Sequence, residues 1–348
     1  MMKKLLYLAS TIAFIACGTT KETTSIDTDK NIDYADKFAK TITAKDLGKH
    51  LFIYASDEFE GRNTGEPGQK KAVAYLKDFY IAQGIKSPLG GSDYFQEVPS
   101  AFLSNNRRGL QLKDSENVLA FIKGSEKPDE IIVISAHLDH EGIKDGEIYN
   151  GADDDGSGTV AILEIAEAFK KATDAGKRPK RSILFLHVTG EEKGLLGSKY
   201  YTENPIFPLK NTVTNLNIDM IGRVDEFHTE NPNYVYLIGA DKLSTELHNI
   251  SEEMNKKYTN IALDYKYNDE NDPNRFYYRS DHYNFAKHNI PVIFYFNGTH
   301  EDYHKPTDTP DKINYELLEN RTRLVFHTAW EVANREKRLI VDKVPAKK

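Results

Sequence analysis

Several short apolar runs in this chain stop abruptly at charge, and that habit constrains the fold more than any other feature. Glu130–Ala136 (EIIVISA) is followed at once by His137-Leu138-Asp139-His140. Arg181–Val188 (RSILFLHV) leads through Thr189-Gly190 to Glu191-Glu192. The run from Thr212 (TVTNLNI) meets Asp219, and Pro291–Phe296 (PVIFYF) opens into a loop holding His300, Glu301, Asp302 and His304. Each run is short and several are β-branched, the pattern of a strand buried on both faces.

Between these runs the periodicity changes. Lys70–Gln83 carries apolar residues at helical spacing and ends at Gly84, a helix-stop signal. Val160–Lys171, Asp241–Tyr258 and Tyr315–Asn334 read as helices, and Tyr234–Ile238 as a further strand. Alternating strands and helices imply an α/β three-layer sandwich with a mostly parallel central sheet. Ligands in such folds bind beyond the carboxyl ends of the strands. The charged clusters fall there. A fifth segment, Asn150-Gly151-Ala152-Asp153-Asp154-Asp155-Gly156-Ser157-Gly158, places three acids immediately before a helix. One aspartate before a helix is ordinarily a cap. Five charged segments at one sheet edge point to a site.

Composition narrows what that site does. The net charge of -7 offers no electrostatic footprint for nucleic acid. The single cysteine, Cys17, excludes an internal disulfide and a thiolate zinc site. It follows Lys3-Lys4 and the apolar run Leu5–Ala16, the pattern of a secretory signal. Phe14-Ile15-Ala16-Cys17 resembles a bacterial lipobox, with Phe14 in place of the usual Leu or Val. The expected organisation is a lipoprotein-type signal peptide over 1–16, a flexible tether over 17–35 and a single domain over 36–340. Acylation of Cys17 would anchor an exported protein to a membrane in the bacterial cell envelope.

Imidazoles and carboxylates without thiolates suit zinc or another borderline divalent metal in a catalytic site. Two histidines with three carboxylates exceed the needs of one open zinc ion and suit two metals sharing a carboxylate. Water between two such ions is acidified toward neutral pH. A further carboxylate then serves as general base, and Glu191-Glu192 can supply both a ligand and a base.

The order HLDH, GADDDGSG, TGEEKGLLGS, NIDMIG and YHKPTDT resembles the co-catalytic di-zinc exopeptidases, a family of secreted bacterial aminopeptidases and glutamate carboxypeptidases related to glutaminyl cyclases. The resemblance runs from about residue 50 to about residue 335 and includes Ala55–Arg62 with Gly65 and Pro67. It implies a zinc exopeptidase fold, peptide substrates and two Zn²⁺. His137 and Asp219 would bind one metal, Glu192 and His304 the other, with Asp154 as the bridge and Glu191 as general base. Asp139 would hydrogen-bond the His137 imidazole and fix its orientation. Tyr277, four residues before Asp281, would stabilise the oxyanion. The family geometry also implies a cis peptide bond between Asp154 and Asp155. Arg279-Ser280-Asp281-His282 also resembles a family segment, and its role here is expected to be structural. The span between Gln96 and Glu130 is too short for the protease-associated insert of larger relatives.

Other features are read as ordinary structure. His187 lies within a strand run and is expected in the core, and His140 and His300 flank the candidate ligands. Val160, Leu163, Ile165, Ala166 and Phe169 form a core stripe. Arg107, Arg108 and Lys177–Arg181 are expected as solvated charge. The function implied is a metal-dependent aminopeptidase that hydrolyses N-terminal residues with a bridging water. The alternatives are a glutaminyl cyclase on the same scaffold and a non-catalytic binding protein.

Overall fold

The computed structural model describes residues 32–106 and 108–343. Cys17, the signal segment, most of the tether and Arg107 lie outside the described residues. Eight strands build the central sheet: β1 (Phe95–Val98), β2 (Ser115–Ile122), β3 (Lys127–His137), β6 (Arg181–Val188), β7 (Thr212–Ile218), β8 (Tyr234–Ile238), β9 (Ala262–Asp264) and β10 (Val292–Phe296). A separate hairpin pairs β4 (Gly142–Lys144) with β5 (Glu147–Tyr149). The sheet order is β1-β2-β6-β3-β7-β10-β8-β9. Its four central strands, β6, β3, β7 and β10, run parallel, while β2 and β8 flank them antiparallel. All four strands whose ends carry charge are therefore neighbours and point the same way. Their following residues must meet at one edge.

Side chains alternate across the pleat, so each central strand feeds two cores. Ile132, Ile134 and Ala136 of β3 enter the larger cluster, and Ile131 and Val133 the smaller one on the opposite face. The larger core packs against α2 (Ala44–Tyr54), α3 (Pro67–Ala82), α5 (Gly158–Asp174) and α9 (Tyr315–Asn334), with α1 (Tyr34–Ala39) also on that side. The smaller core packs against α6 (Leu196–Glu203) and α8 (His282–Ala286). The remaining helices are α4 (Ser100–Leu103) and α7 (Thr245–Met254). The result is the expected three-layer α/β sandwich, and the described residues from Tyr34 onward form one compact unit. Val160, Leu163, Ile165, Ala166 and Phe169 are fully buried.

Local chemistry sets the element ends. Asn314 caps α9 by accepting from the Leu317 amide at 3.0 Å. The helix expected over Asp241–Tyr258 begins later, because the Ser244 side chain accepts from the Leu247 amide and fixes the start at Thr245. Its regular part ends at Met254, where a wider turn, Asn255–Thr259, takes over. Arg181 overturns the solvated-charge reading of Lys177–Arg181. It is fully buried, pairs with Glu130 at 2.5 Å, and donates to the carbonyls of Val332 and Arg335. His187 is buried against Tyr80, whose hydroxyl lies 2.7 Å from Nε2, as a core histidine should be.

Candidate metal centre

His137 is the last residue of β3, one of the two middle strands of the parallel set. Its Nδ1 lies 2.9 Å from the carbonyl oxygen of Asp139. A carbonyl only accepts, so Nδ1 carries the hydrogen and Nε2 of the neutral ring presents a lone pair. That Nε2 faces Asp154 Oδ1 at 3.1 Å and Asp219 Oδ1 at 3.6 Å. Asp219 directly follows β7, the strand beside β3. The second Asp219 oxygen is held by the Ser280 hydroxyl, which donates at 2.6 Å and accepts from Asn217.

Asp154 has a second oxygen, and it faces a second set. Oδ2 lies 3.0 Å from His304 Nε2, which is 3.3 Å from Glu192 Oε2. Two donor sets thus share one carboxylate: His137, Asp154 and Asp219 on one side, and Asp154, Glu192 and His304 on the other. Neighbouring acids hold that carboxylate in place. Asp155 accepts from the amides of His137, Gly158 and Met220, tying together the ends of β3 and β7 and the start of α5. Asp153 accepts from the Gly222 amide at 2.7 Å, and its other oxygen lies 3.2 Å from His300 Nε2. Asp308 accepts from the amides of both Asp153 and Asp154. The peptide bond between Asp154 and Asp155 is cis, as the resemblance implies.

The donor set fits a divalent cation. His137 Nε2, Asp154 Oδ2 and Glu192 Oε1 are buried, and among the described residues none has a hydrogen-bond partner. Buried polar atoms are rarely left that way, since each costs about 1–3 kcal/mol. The field asks for positive charge as well. Burial alone would depress His304, yet Asp154 and Glu192 raise it to about 10. His137 behaves alike, lifted well above the usual imidazole range by Asp219 and Asp154 against the effect of burial. Burial favours protonation of both Asp154 and Glu192, and Glu192 adds to it at Asp154, but the facing imidazoles win and hold both carboxyls down.

Glu191 stands apart from the ligands electrostatically. Burial, then the repulsion of Asp219 and Glu192, pushes its carboxyl well above the usual range. It lines a pocket with Asp154, Asp219 and His304, beside Met220, Phe276, Phe294, Phe296, Arg279 and Tyr303. A carboxylate with raised proton affinity next to a cation site has the properties of a general base.

Residues 117–329 match the family model described as peptidase family M28. The chain belongs to peptidase family M28. Two relatives resemble it over different shares of its length. Leupeptin-inactivating enzyme 1 of Streptomyces exfoliatus is 26% identical over 301 residues, covering 80% of this chain and 59% of that protein. Aminopeptidase NAALADL1 of Rattus norvegicus is 37% identical over 113 residues, covering 32% of this chain and 14% of that protein. The chain therefore spans less than two thirds of the length of either relative. The fold is shared with solved structures. The LapA aminopeptidase of Legionella pneumophila superposes with a TM-score of 0.66 at 22% identity, covering 87% of this chain and 75% of that one. An aminopeptidase from Aneurinibacillus sp. strain AM-1 gives 0.64 at 17% identity, covering 89% and 98%.

Within this M28 chain the expected ligands His137, Asp154, Glu192, Asp219 and His304 converge, and four expectations change. The Asp139 carboxylate does not hydrogen-bond the His137 imidazole: Oδ1 is 4.0 Å from Nδ1, whose partner is the Asp139 carbonyl. The carboxylate instead accepts from the Thr64 hydroxyl and the Glu191 amide, so it positions the base loop. Tyr277 is not among the residues lining the cavity. Its ring packs on Gly239, where an added Cβ would come within 3.0 Å, and under the Lys242 ammonium. Tyr303 takes the place beside the ligands, stacked on the His304 ring with centroids 3.9 Å apart. Arg279 reaches the cavity wall, over the Phe276 ring at 4.6 Å, so the segment Arg279–His282 contributes more than support. Arg108 is not merely solvated either, since it donates to the Glu192 carbonyl at 2.8 Å.

Two supporting residues lay in quoted segments without a role of their own assigned to them. Ser280 orients Asp219, and Asp308 pins the backbone of Asp153 and Asp154. Asp308 sat within the quoted YHKPTDT motif, four residues after His304, and its type was the available signal. Arg62, within the recognised Ala55–Arg62 segment, is fully buried and donates to the carbonyls of Tyr54, Leu138, Asn150 and Gly151. It clamps the HLDH strand end to the acid loop.

Proposed function

We propose that this M28 protein is a zinc aminopeptidase with two metals sharing Asp154 and with Glu191 as general base. The observation that carries the reading is the shared carboxylate: each Asp154 oxygen faces its own donor set, and Glu191 opens onto the same cavity. Zinc held there supplies Lewis-acid charge that acidifies a water and stabilises negative charge at a peptide carbonyl. His137, Asp154 and Asp219 would hold one ion; Asp154, Glu192 and His304 the other.

The chain's own residues perform the proton chemistry. Glu191 accepts a proton from the attacking water as its oxygen bonds to the carbonyl carbon. It returns that proton to the leaving nitrogen as the C–N bond breaks, releasing an amine and a carboxylic acid. Met220, Phe276, Phe294 and Phe296 form an apolar wall beside the reacting centre. Burying an aliphatic or aromatic side chain on such a wall contributes about 1.5–3 kcal/mol, which favours substrates with an apolar N-terminal residue. The surrounding carboxylates supply acceptors for a free α-amine. A cyclase working on one zinc would leave one of the two donor sets without a purpose.

The expected location is the cell envelope, with Cys17 acylated and the catalytic unit exported. Among the described residues no helix is long and apolar enough to cross a membrane. The functional reading is tested with leucyl- and phenylalanyl-nitroanilides, their N-acetylated forms and a chelator. Cleavage of the free amines alone, abolished by chelation and restored by zinc, supports it. Equal cleavage of blocked and free substrates contradicts aminopeptidase action.

A further inference from the structure

His140 ends the HLDH motif and looks in sequence like a bystander to His137. Its surroundings are those of a ligand. The side chain is fully buried, and neither ring nitrogen has a hydrogen-bond partner among the described residues. Nδ1 nevertheless lies 2.8 Å from Glu192 Oε1 and 3.8 Å from Asp154 Oδ2. Both of those oxygens are themselves buried and lack a hydrogen-bond partner. Two polar atoms at 2.8 Å that do not form a hydrogen bond are misaligned for one, because the N–H direction misses the oxygen. Three unsatisfied buried donor atoms around one point are the arrangement expected of ligands to a shared cation.

The backbone places the ring deliberately close. Gly151 lies flat against it: a Cβ at that position would sit 2.4 Å from His140 Cγ. Gly151 also has φ +53, a left-handed conformation that glycine adopts without a steric cost. The His140 amide donates to the Arg62 carbonyl, and Arg62 in turn grips the carbonyls of Asn150 and Gly151. The His304 ring stands edge-on at 5.8 Å.

We propose that His140 is a metal ligand through Nδ1, joining Asp154, Glu192 and His304 on the second side of the centre. This rests on the two-metal reading and deepens it. The two sides then differ in kind: His137 with two carboxylates on one, and two imidazoles with two carboxylates on the other. The second side is the more nitrogen-rich and the more complete, so it holds a borderline cation such as zinc more tightly. The first side keeps the more open coordination and loses its metal first to a chelator. His304, with 37% of its side chain exposed, is the accessible imidazole of the second side; His140 is the buried one.

The test counts metal–nitrogen bonds directly. Protein labelled with ¹⁵N at the histidine rings is loaded with ¹¹³Cd, and one-bond couplings between the two nuclei are counted by NMR. Three coupled ring nitrogens are expected, two of the ε type and one of the δ type. His140→Ala should remove the δ signal and weaken the second zinc site by roughly 10- to 100-fold in competition with a chelator. Two bound cadmium ions with only two coupled nitrogens would overturn the assignment while leaving the two-metal centre intact. No bound cadmium or zinc at all would overturn the two-metal reading and this inference together. The count in the unmodified protein decides the matter even where His140→Ala fails to fold.

Discussion

Two regions of this molecule bury charge, and they treat it in opposite ways. Beneath the loop that follows β7, Arg321 is fully buried and donates to the carbonyls of Tyr234, Ile221, Arg223 and Pro232. Arg181 and Arg62 are served similarly. At the carboxyl edge of the parallel strands, acids and imidazoles face one another with donor atoms left unmatched. Burial alone therefore does not mark a functional residue. Buried charge matched by backbone holds loops in place, whereas buried charge lacking partners awaits a ligand.

The contrast is sharpest in substitutions. Glu191→Gln should lower kcat by roughly 10²- to 10⁴-fold, because an amide cannot accept the water proton, while both zinc ions remain bound. Steady-state kinetics paired with elemental analysis check this, and a near-normal kcat would remove Glu191 from the base role. Arg321→Met should do the reverse. It strips four buried carbonyls of their donor and should destabilise the fold by at least about 2 kcal/mol in urea denaturation. The specific activity of the molecules that remain folded should hold.

A smaller effect separates the two kinds of buried group by pH. Glu164, on α5, is raised to about 8 by burial and then by Glu167 and Asp46. The folded state keeps that proton where the unfolded state has lost it. Its contribution is therefore full below about 4.5 and is lost as pH rises through about 8. His187 is depressed to about 3 by burial, so its contribution is present above 6.5 and fades as pH falls toward 3. Glu164→Gln should flatten the alkaline limb of stability against pH, and His187→Gln the acidic limb, as followed by chemical denaturation across pH. Neither change should alter metal content.

Much of the site was legible in the sequence because parallel topology turns sequence position into spatial position. His137 ends strand β3, and Glu192 and Asp219 come after β6 and β7, the strands on either side of it. The ligand types could be read from the ends of those strands. The residues that hold the ligands were harder to read. Ser280 and Asp308 act through a few hydrogen bonds from loops remote in sequence, and no periodicity reports such bonds. Tyr277 and Tyr303 show the same limit: both are aromatic residues in loops, and only packing decides which one faces the cavity. The antiparallel strands β1 and β2 were missed because one is only four residues long and the other opens on Ser115-Glu116-Asn117. Arg181 sat within a basic run, where charge alone gave no sign that Glu130 and three carbonyls would enclose it.

The central claim is that Asp154 serves two metals at once, and zinc stoichiometry after equilibrium dialysis tests it most directly. The unmodified protein should hold two zinc ions per chain. Asp219→Ala should hold one, and Asp154→Ala should lose both at a free zinc concentration that saturates the unmodified protein, with circular dichroism showing all three folded. An Asp154→Ala protein that keeps one zinc ion at undiminished affinity would contradict the shared carboxylate.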